Sequence, residues 1–214
     1  MEATFDSMLP PLRRRLALLA LLVLLPVVLA VPACAGEPDE PPAVVSGAEA
    51  EEGEEDDGPP PLVGVVEREE VEAHVPDWVQ AEVEAEPAAE AAAALLAVEP
   101  GAEVVVYLGT WCSDSRRELA RLWRAFDEAG IGLVAEPPFA LEYVAVDRDK
   151  AEPAERLAGV GLEYVPTFVV RRGGEEVGRI VEISPNGIEH DLLALLSGEA
   201  SGVVSGRDDL GGDA

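Results

Sequence analysis

The chain is 214 residues long and 48% hydrophobic, enough for one modest domain with extensions and a closed core. Its 43 acidic against 15 basic residues give a formal net charge of −28, which leaves no phosphate-neutralising stripe and excludes DNA and RNA as partners. Two cysteines, Cys34 and Cys112, and two histidines, His74 and His190, have no zinc-site spacing, and the chain carries no P-loop, dinucleotide-binding glycine fingerprint or His-Glu-x-x-His helix. No metal and no cofactor are expected.

At the front, Arg13-Arg14-Arg15 precedes sixteen uncharged residues, Leu16 to Val31, the charged and apolar regions of an export signal covering residues 1–35. The following Val31-Pro32-Ala33-Cys34 resembles the lipobox of bacterial lipoproteins, which implies that Cys34 is acylated and anchors the protein to a membrane. Two other outcomes fit the same residues. Cleavage after Ala35 would release a secreted protein, and an uncleaved Leu16 to Ala35 is about 20 residues, long enough to span a bilayer. In each case the expected compartment is the cell envelope or beyond.

From Glu37 to Asp57 ten acidic residues alternate with Pro, Gly and Ala, so residues 36–61 are expected to form a self-repelling, extended tether. A folded domain is expected over 62–200, with an extension at 62–86 and a core at 87–196, and residues 201–214 read as a disordered Gly, Ser and Asp-rich tail. Within the core, Pro87 to Val98 reads as a helix and Glu103 to Leu108, with its Val-Val-Val-Tyr-Leu run, as a buried strand. A helix starts after Cys112; Leu119, Leu122, Trp123 and Phe126 form its apolar face and Gly130 its stop. Leu141 to Val146 is a short strand and Pro153 to Ala158 a short helix. Thr167 to Val170 and Glu175 to Ile183 flank Gly173-Gly174 as a β-hairpin, and Gly187 to Leu196 closes as a helix that packs on the sheet. The expected class is α/β, a three-layer sandwich with a mixed central sheet and helices on both faces.

At the end of the first clear strand stands Gly109-Thr110-Trp111-Cys112-Ser113-Asp114-Ser115-Arg116, which resembles the active-site turn of the thioredoxin superfamily. Tyr164-Val165-Pro166-Thr167-Phe168 resembles that family's segment in which a cis-proline faces the reactive cysteine. The resemblance covers Pro87 to Leu196 and implies a thioredoxin-like fold. It further implies Cys112, Ser115 and Pro166 as catalytic positions, with Trp111, Val165 and Thr167 lining the substrate site. Leu62 to Glu86, with Val75-Pro76-Asp77-Trp78, lies outside it.

The turn departs from the family where the second cysteine of C-x-x-C enzymes would resolve a mixed disulfide, because that position is Ser115. Likewise Val106 stands where thioredoxins bury an acid. A sulfur at a helix N-terminus meets unpaired N–H groups and the positive dipole end, which stabilise a thiolate, and Ser115 is expected to donate a hydrogen bond to it. Attack by Cys112 then remains possible while self-resolution does not.

Three readings of function follow. The first is monothiol exchange or isomerisation on cysteine-containing or disulfide-bonded exported proteins, or with a low-molecular-weight thiol. A redox-inactive binding or chaperone-like module using the same groove is the second. The third, a thiol peroxide reducer, is disfavoured because the Pro, Thr and Arg arrangement such enzymes place around their cysteine is absent. Trp78 and Trp123 read as core residues, and His74 and His190 as surface residues.

Overall fold

The computed structural model describes residues 58–210; the expected export signal, Cys34, the tether as far as Asp57 and the last four residues lie outside the described residues. No helix among the described residues is long and apolar enough to cross a membrane.

The element order is β1 (Gly64–Val66), α1 (Arg68–His74), α2 (Asp77–Glu84), α3 (Ala89–Ala94), β2 (Ala102–Leu108), α4 (Ser113–Ala129), β3 (Phe139–Ala145), α5 (Ala154–Leu157), β4 (Thr167–Arg172), β5 (Glu175–Val181), α6 (Ile188–Ser197) and β6 (Gly202–Val204). The six strands form one mixed sheet in the order β1-β3-β2-β4-β5-β6. At its centre β2 runs parallel to β3 and antiparallel to β4. The chain is thus a mixed α/β fold with a central mixed sheet flanked by helices.

Strand β2 is buried on both faces, and its alternation assigns its residues to two clusters. Val104, Val106 and Leu108 join Phe168, Val170 and Ile180 in the larger core, covered by α1, α2, α4 and α6. Val105 and Tyr107 join Val144, Val146 and Val169 on the other face. The cover there is thinner: Leu157 of the single-turn α5, Leu162 and Val165 do the packing.

Helix α4 follows its sequence pattern closely. Leu119, Leu122, Trp123 and Phe126 are buried, and Gly130 ends the helix at φ 70°, a left-handed conformation that glycine adopts without a Cβ penalty. The N-terminal half of the predicted Pro87 to Val98 helix is α3, after which Leu95–Ala97 tightens into a 3₁₀ turn that buries Leu95.

One region gains detail inside the expected domain, and another differs from the sequence reading. The extension 62–86 is fully built into the domain: β1 pairs antiparallel with β3, and Trp78 of α2, 2% exposed, packs against Trp123 of α4 with ring centroids 5.7 Å apart. Trp123 meets Tyr143 edge-on and donates its Nε1 hydrogen to the Tyr143 hydroxyl at 2.9 Å, so the buried polar atoms of both rings are paired. Arg68 of α1 reaches Glu72, Glu82 of α2 and Asp127 of α4 together, tying three helices by charge.

The difference is a correction at the C-terminus. Ser201 to Ala214 is expected as a disordered tail, yet Gly202–Val204 forms β6, parallel to β5 at the sheet edge. Backbone pairing rather than side-chain burial recruits this segment, since Gly202 and Val203 are exposed. Gly178 and Gly202 face each other there, and a Cβ at Gly178 would sit 2.7 Å from the Gly202 carbonyl oxygen.

Candidate active site

Cys112 is the only cysteine among the described residues, and its position follows from the turn that joins β2 to α4. The Cys112 N–H donates to the Gly109 carbonyl at 2.9 Å, closing a tight turn, and Cys112 is then the N-cap of the 17-residue α4. Its sulfur therefore stands at the end of a long helix whose first-turn N–H groups have no intrahelical acceptors. The location is also the carboxyl end of a central strand, where open α/β sheets place their ligands.

Across the gap from α4, the segment before β4 supplies the facing wall. Val165 precedes a cis peptide bond to Pro166, and the Cys112 thiol donates to the Val165 carbonyl at 3.2 Å. This turn is braced from inside. Thr167 Oγ1 donates to the Tyr164 carbonyl at 2.7 Å, and the Glu182 N–H donates to the Pro166 carbonyl at 2.8 Å.

Trp111 forms the rim. Its Nε1 donates to the Val146 carbonyl at 3.3 Å, while Arg148 and Lys150 from the loop after β3 approach its ring at 5.4 and 5.9 Å. Asp147 holds that loop by accepting from the N–H groups of Ala151 and Glu152, and these backbone donors, the Glu152 one foremost, set its carboxyl below the usual range.

The structure brings Cys112, Trp111, Val165 and Pro166 together and gives two other residues different tasks from those expected. Ser115 is fully buried, and its hydroxyl accepts from the Gly109 N–H at 3.1 Å, so it fastens the start of α4 to the end of β2. No bond between Ser115 and Cys112 is formed; the partner of the thiol is Val165. Thr167 is 2% exposed and its hydroxyl is spent on the turn, so its side chain shapes the site from behind rather than facing a substrate. Cys34, the expected lipid anchor, lies outside the described residues.

Sequence reasoning left the neighbours from α2 unassigned. A cleft of about 270 Å³ beside the thiol is lined by Asp77 and Trp78 of α2, Thr110 and Trp111 of the turn, Cys112 itself and Arg116 of α4. Asp77 pairs with Arg116, and the Leu62 N–H donates to Thr110 Oγ1 at 3.2 Å, so the extension borders the site at two points. The cleft is small for a cofactor-sized ligand and suits a side chain or a small thiol. A larger hollow, about 460 Å³, lies on the sheet face between Val65, Glu103 and Val105, away from the thiol, and none of the expected site residues lines it.

Further along α4 the acids are matched by arginines. Asp114 and Glu118 share Arg117 at 2.6 and 3.1 Å, and Glu189, fully buried, takes Arg121 at 2.6 Å and the Ala88 N–H at 2.6 Å. Burial pushes the Glu118 carboxyl up against the pull of Arg117. For Glu189 burial pushes the same way, but the bonds from Arg121 and Ala88 outweigh it and the carboxyl sits below its usual range. Among the described residues no group of three or more His, Cys, Asp or Glu side chains is placed to hold a metal ion.

No protein-family model matches the chain, and no curated protein matches it. Two solved structures are similar to it in backbone: a protein of unknown function from Pseudomonas aeruginosa, at 20% identity over 61% of this chain and 86% of that one with a TM-score of 0.41, and an HIV epitope-scaffold, at 20% identity over 61% and 87% with a TM-score of 0.42.

Proposed function

We propose that this chain is an exported, thioredoxin-like protein held at the cell envelope through its N-terminus, and that Cys112 performs monothiol thiol-disulfide exchange or isomerisation on exported proteins. The observation that carries the reading is the meeting of Cys112 Sγ, at the N-cap of α4, with the Val165 carbonyl 3.2 Å away, immediately before cis-Pro166. Two segments far apart in sequence converge on one sulfur, as the resemblance to the thioredoxin superfamily implies. The parallel β2–β3 pair beside the antiparallel β4–β5 hairpin supports the finer fold assignment.

In the proposed reaction the Cys112 thiolate attacks one sulfur of a substrate disulfide. A bond forms between Cys112 and that sulfur, the old S–S bond breaks, and the departing thiolate takes a proton from solvent. A second substrate cysteine, or a low-molecular-weight thiol, then attacks the substrate sulfur and releases Cys112. One disulfide has been exchanged for another, so no external oxidant or reductant is consumed. Substrate chain would lie along the Val165 backbone as an added extended segment, which makes selection by side chain loose.

Ser115, which cannot form a disulfide, leaves resolution to a partner. The second reading, a binding module that uses the same groove without chemistry, draws on Ser115 being committed to Gly109 rather than to the thiol. Capture separates the two. The full chain is incubated with a scrambled disulfide protein, quenched with acid, and the Cys112 peptide is examined by mass spectrometry. A mixed disulfide at Cys112 that is lost in Cys112→Ser supports exchange; binding of the scrambled protein without any adduct overturns it in favour of the binding module.

A further inference from the structure

The carboxylate nearest the thiol cleft comes from outside the segment that carries the resemblance. Asp77 opens α2, and its Oδ2 pairs with Arg116 Nη1, both residues lining the cleft that contains Cys112. Arg116 is four residues beyond Cys112, its N–H donating to the Cys112 carbonyl at 3.1 Å. Side chains on a helix lean toward its N-terminus, so an arginine at this position covers the turn that bears Cys112. Left alone, its guanidinium would be the cation facing the sulfur.

Asp77 is fixed where it stands by its neighbour. Trp78 is 2% exposed and packed on Trp123, which leaves the preceding residue little freedom to leave α4. The pair itself is exposed, with 61% of the Asp77 and 42% of the Arg116 side chain open to solvent, and such pairs contribute little to stability. The first-turn acid of α4 itself, Asp114, is occupied by Arg117 at 2.6 Å. On the far side of the cleft, Arg148 and Lys150 stand against Trp111. The charge next to Cys112 on the α4 side is therefore decided between Asp77 and Arg116.

We infer that Asp77 is a positioning residue for Cys112: by pairing with Arg116 it holds that guanidinium at the rim of the cleft and sets the charge that an incoming sulfur or anion meets. The extension 62–86 is then a tuning element of the site. This rests on the reading of Cys112 as the reacting group, though not on its having a disulfide substrate.

The test compares two alkylating reagents, anionic iodoacetate and neutral iodoacetamide, on the full chain, with modification at the Cys112 peptide followed by mass spectrometry. The ratio of the two rates reports local charge and cancels changes in general reactivity. Asp77→Asn should raise the iodoacetate to iodoacetamide ratio roughly three- to fivefold at low salt, the scale of the released Arg116 guanidinium's unit charge coming within a few ångströms of the sulfur in water. Arg116→Gln should lower it. Asp77→Glu should restore the original ratio, and in about 1 M salt, where the Debye length is about 3 Å, the differences should close.

The coupling decides the mechanism. In the Arg116→Gln background Asp77→Asn should add little, because its effect passes through the arginine. An unchanged ratio in Asp77→Asn overturns the inference, and so does an Asp77 effect that persists undiminished without Arg116. Should the ratios behave as expected while no mixed disulfide is ever captured, the exchange reading fails and the positioning role of Asp77 stands.

Discussion

The indole of Trp111 lies across Gly109 so closely that a Cβ at Gly109 would come within 2.7 Å of its Cε2. The glycine is needed here for space, and it lets the rim of the cleft fold back over the end of β2. Gly109→Ala should force Trp111 off the Val146 carbonyl and destabilise the domain by about 1–3 kcal/mol, the usual cost of an inserted methyl group. Trp78 and Trp123 are core residues at 2% and 1% exposure, so quenching of tryptophan fluorescence by acrylamide reports Trp111. Increased quenching with a lower urea midpoint is the expected result; wild-type values for both would mean the turn absorbs the methyl group.

Ser115 tests the architecture of the same turn. Its hydroxyl is the acceptor for the Gly109 N–H, and Ser115→Ala strands that donor in a fully buried place. A loss of about 1–3 kcal/mol in urea unfolding is expected, the cost of an unsatisfied buried group. Iodoacetamide alkylation of Cys112 should change little, since the thiol's partner is Val165. A large change in alkylation rate would instead restore Ser115 to direct contact with the sulfur.

Legibility in the sequence tracks how local each interaction is. Helix α4 carries its apolar face and its Gly130 stop within one segment, and Gly173-Gly174, at φ 61° and 83°, makes its hairpin with no help from elsewhere. The convergence of Cys112 with Val165 and Pro166 was readable only through the family resemblance, because nothing near Cys112 announces a partner 53 positions away. The extension was opaque for a related reason. Helix α1 buries only Val71, and β1 is three residues long, so neither generates a periodic pattern. Its order comes from Trp78 on Trp123 and Arg68 on Asp127, long-range contacts that no local pattern carries. With it went the site's Asp77.

Strand β6 was missed because Gly202-Val203-Val204 between Ser201 and Ser205 has no strand signal of its own. Its place depends on the partner strand: at Gly178 a Cβ would lie 2.6 Å from Leu195 Cδ2 and 2.7 Å from the Gly202 carbonyl oxygen. Gly178→Ala should push β6 away, at a cost of about 1–3 kcal/mol. Hydrogen exchange should accelerate at Val203 and Val204 while the β2–β3 pair keeps its protection. Unaltered protection at β6 would show that Leu195 and the β5 backbone yield instead.

The arginine-acid cluster beneath α1 and α2 gives the domain a pH dependence with a definite sign. Burial raises the Glu82 carboxyl to about 7 against the pull of Arg68, and Glu82 Oε2 is buried with no hydrogen-bond partner. In the unfolded chain a glutamate titrates near 4.3. Between roughly pH 4.5 and 7 the folded state therefore holds a proton that the unfolded state has released, and this group's contribution to stability falls as pH rises through that window. Asp127 works in a different range. Its bond from Arg68 lowers it, so the stability it adds is present above its ordinary value of 3.8 and is lost only in stronger acid. Glu82→Gln keeps an acceptor for Arg68 and removes the titration. Urea unfolding at pH 5 and pH 8 should show the wild type losing on the order of 1–2 kcal/mol relative to the variant, each pKa unit being worth about 1.4 kcal/mol. Parallel slopes for the two proteins would mean that Glu82 is ionised throughout and that Arg68 alone balances the cluster.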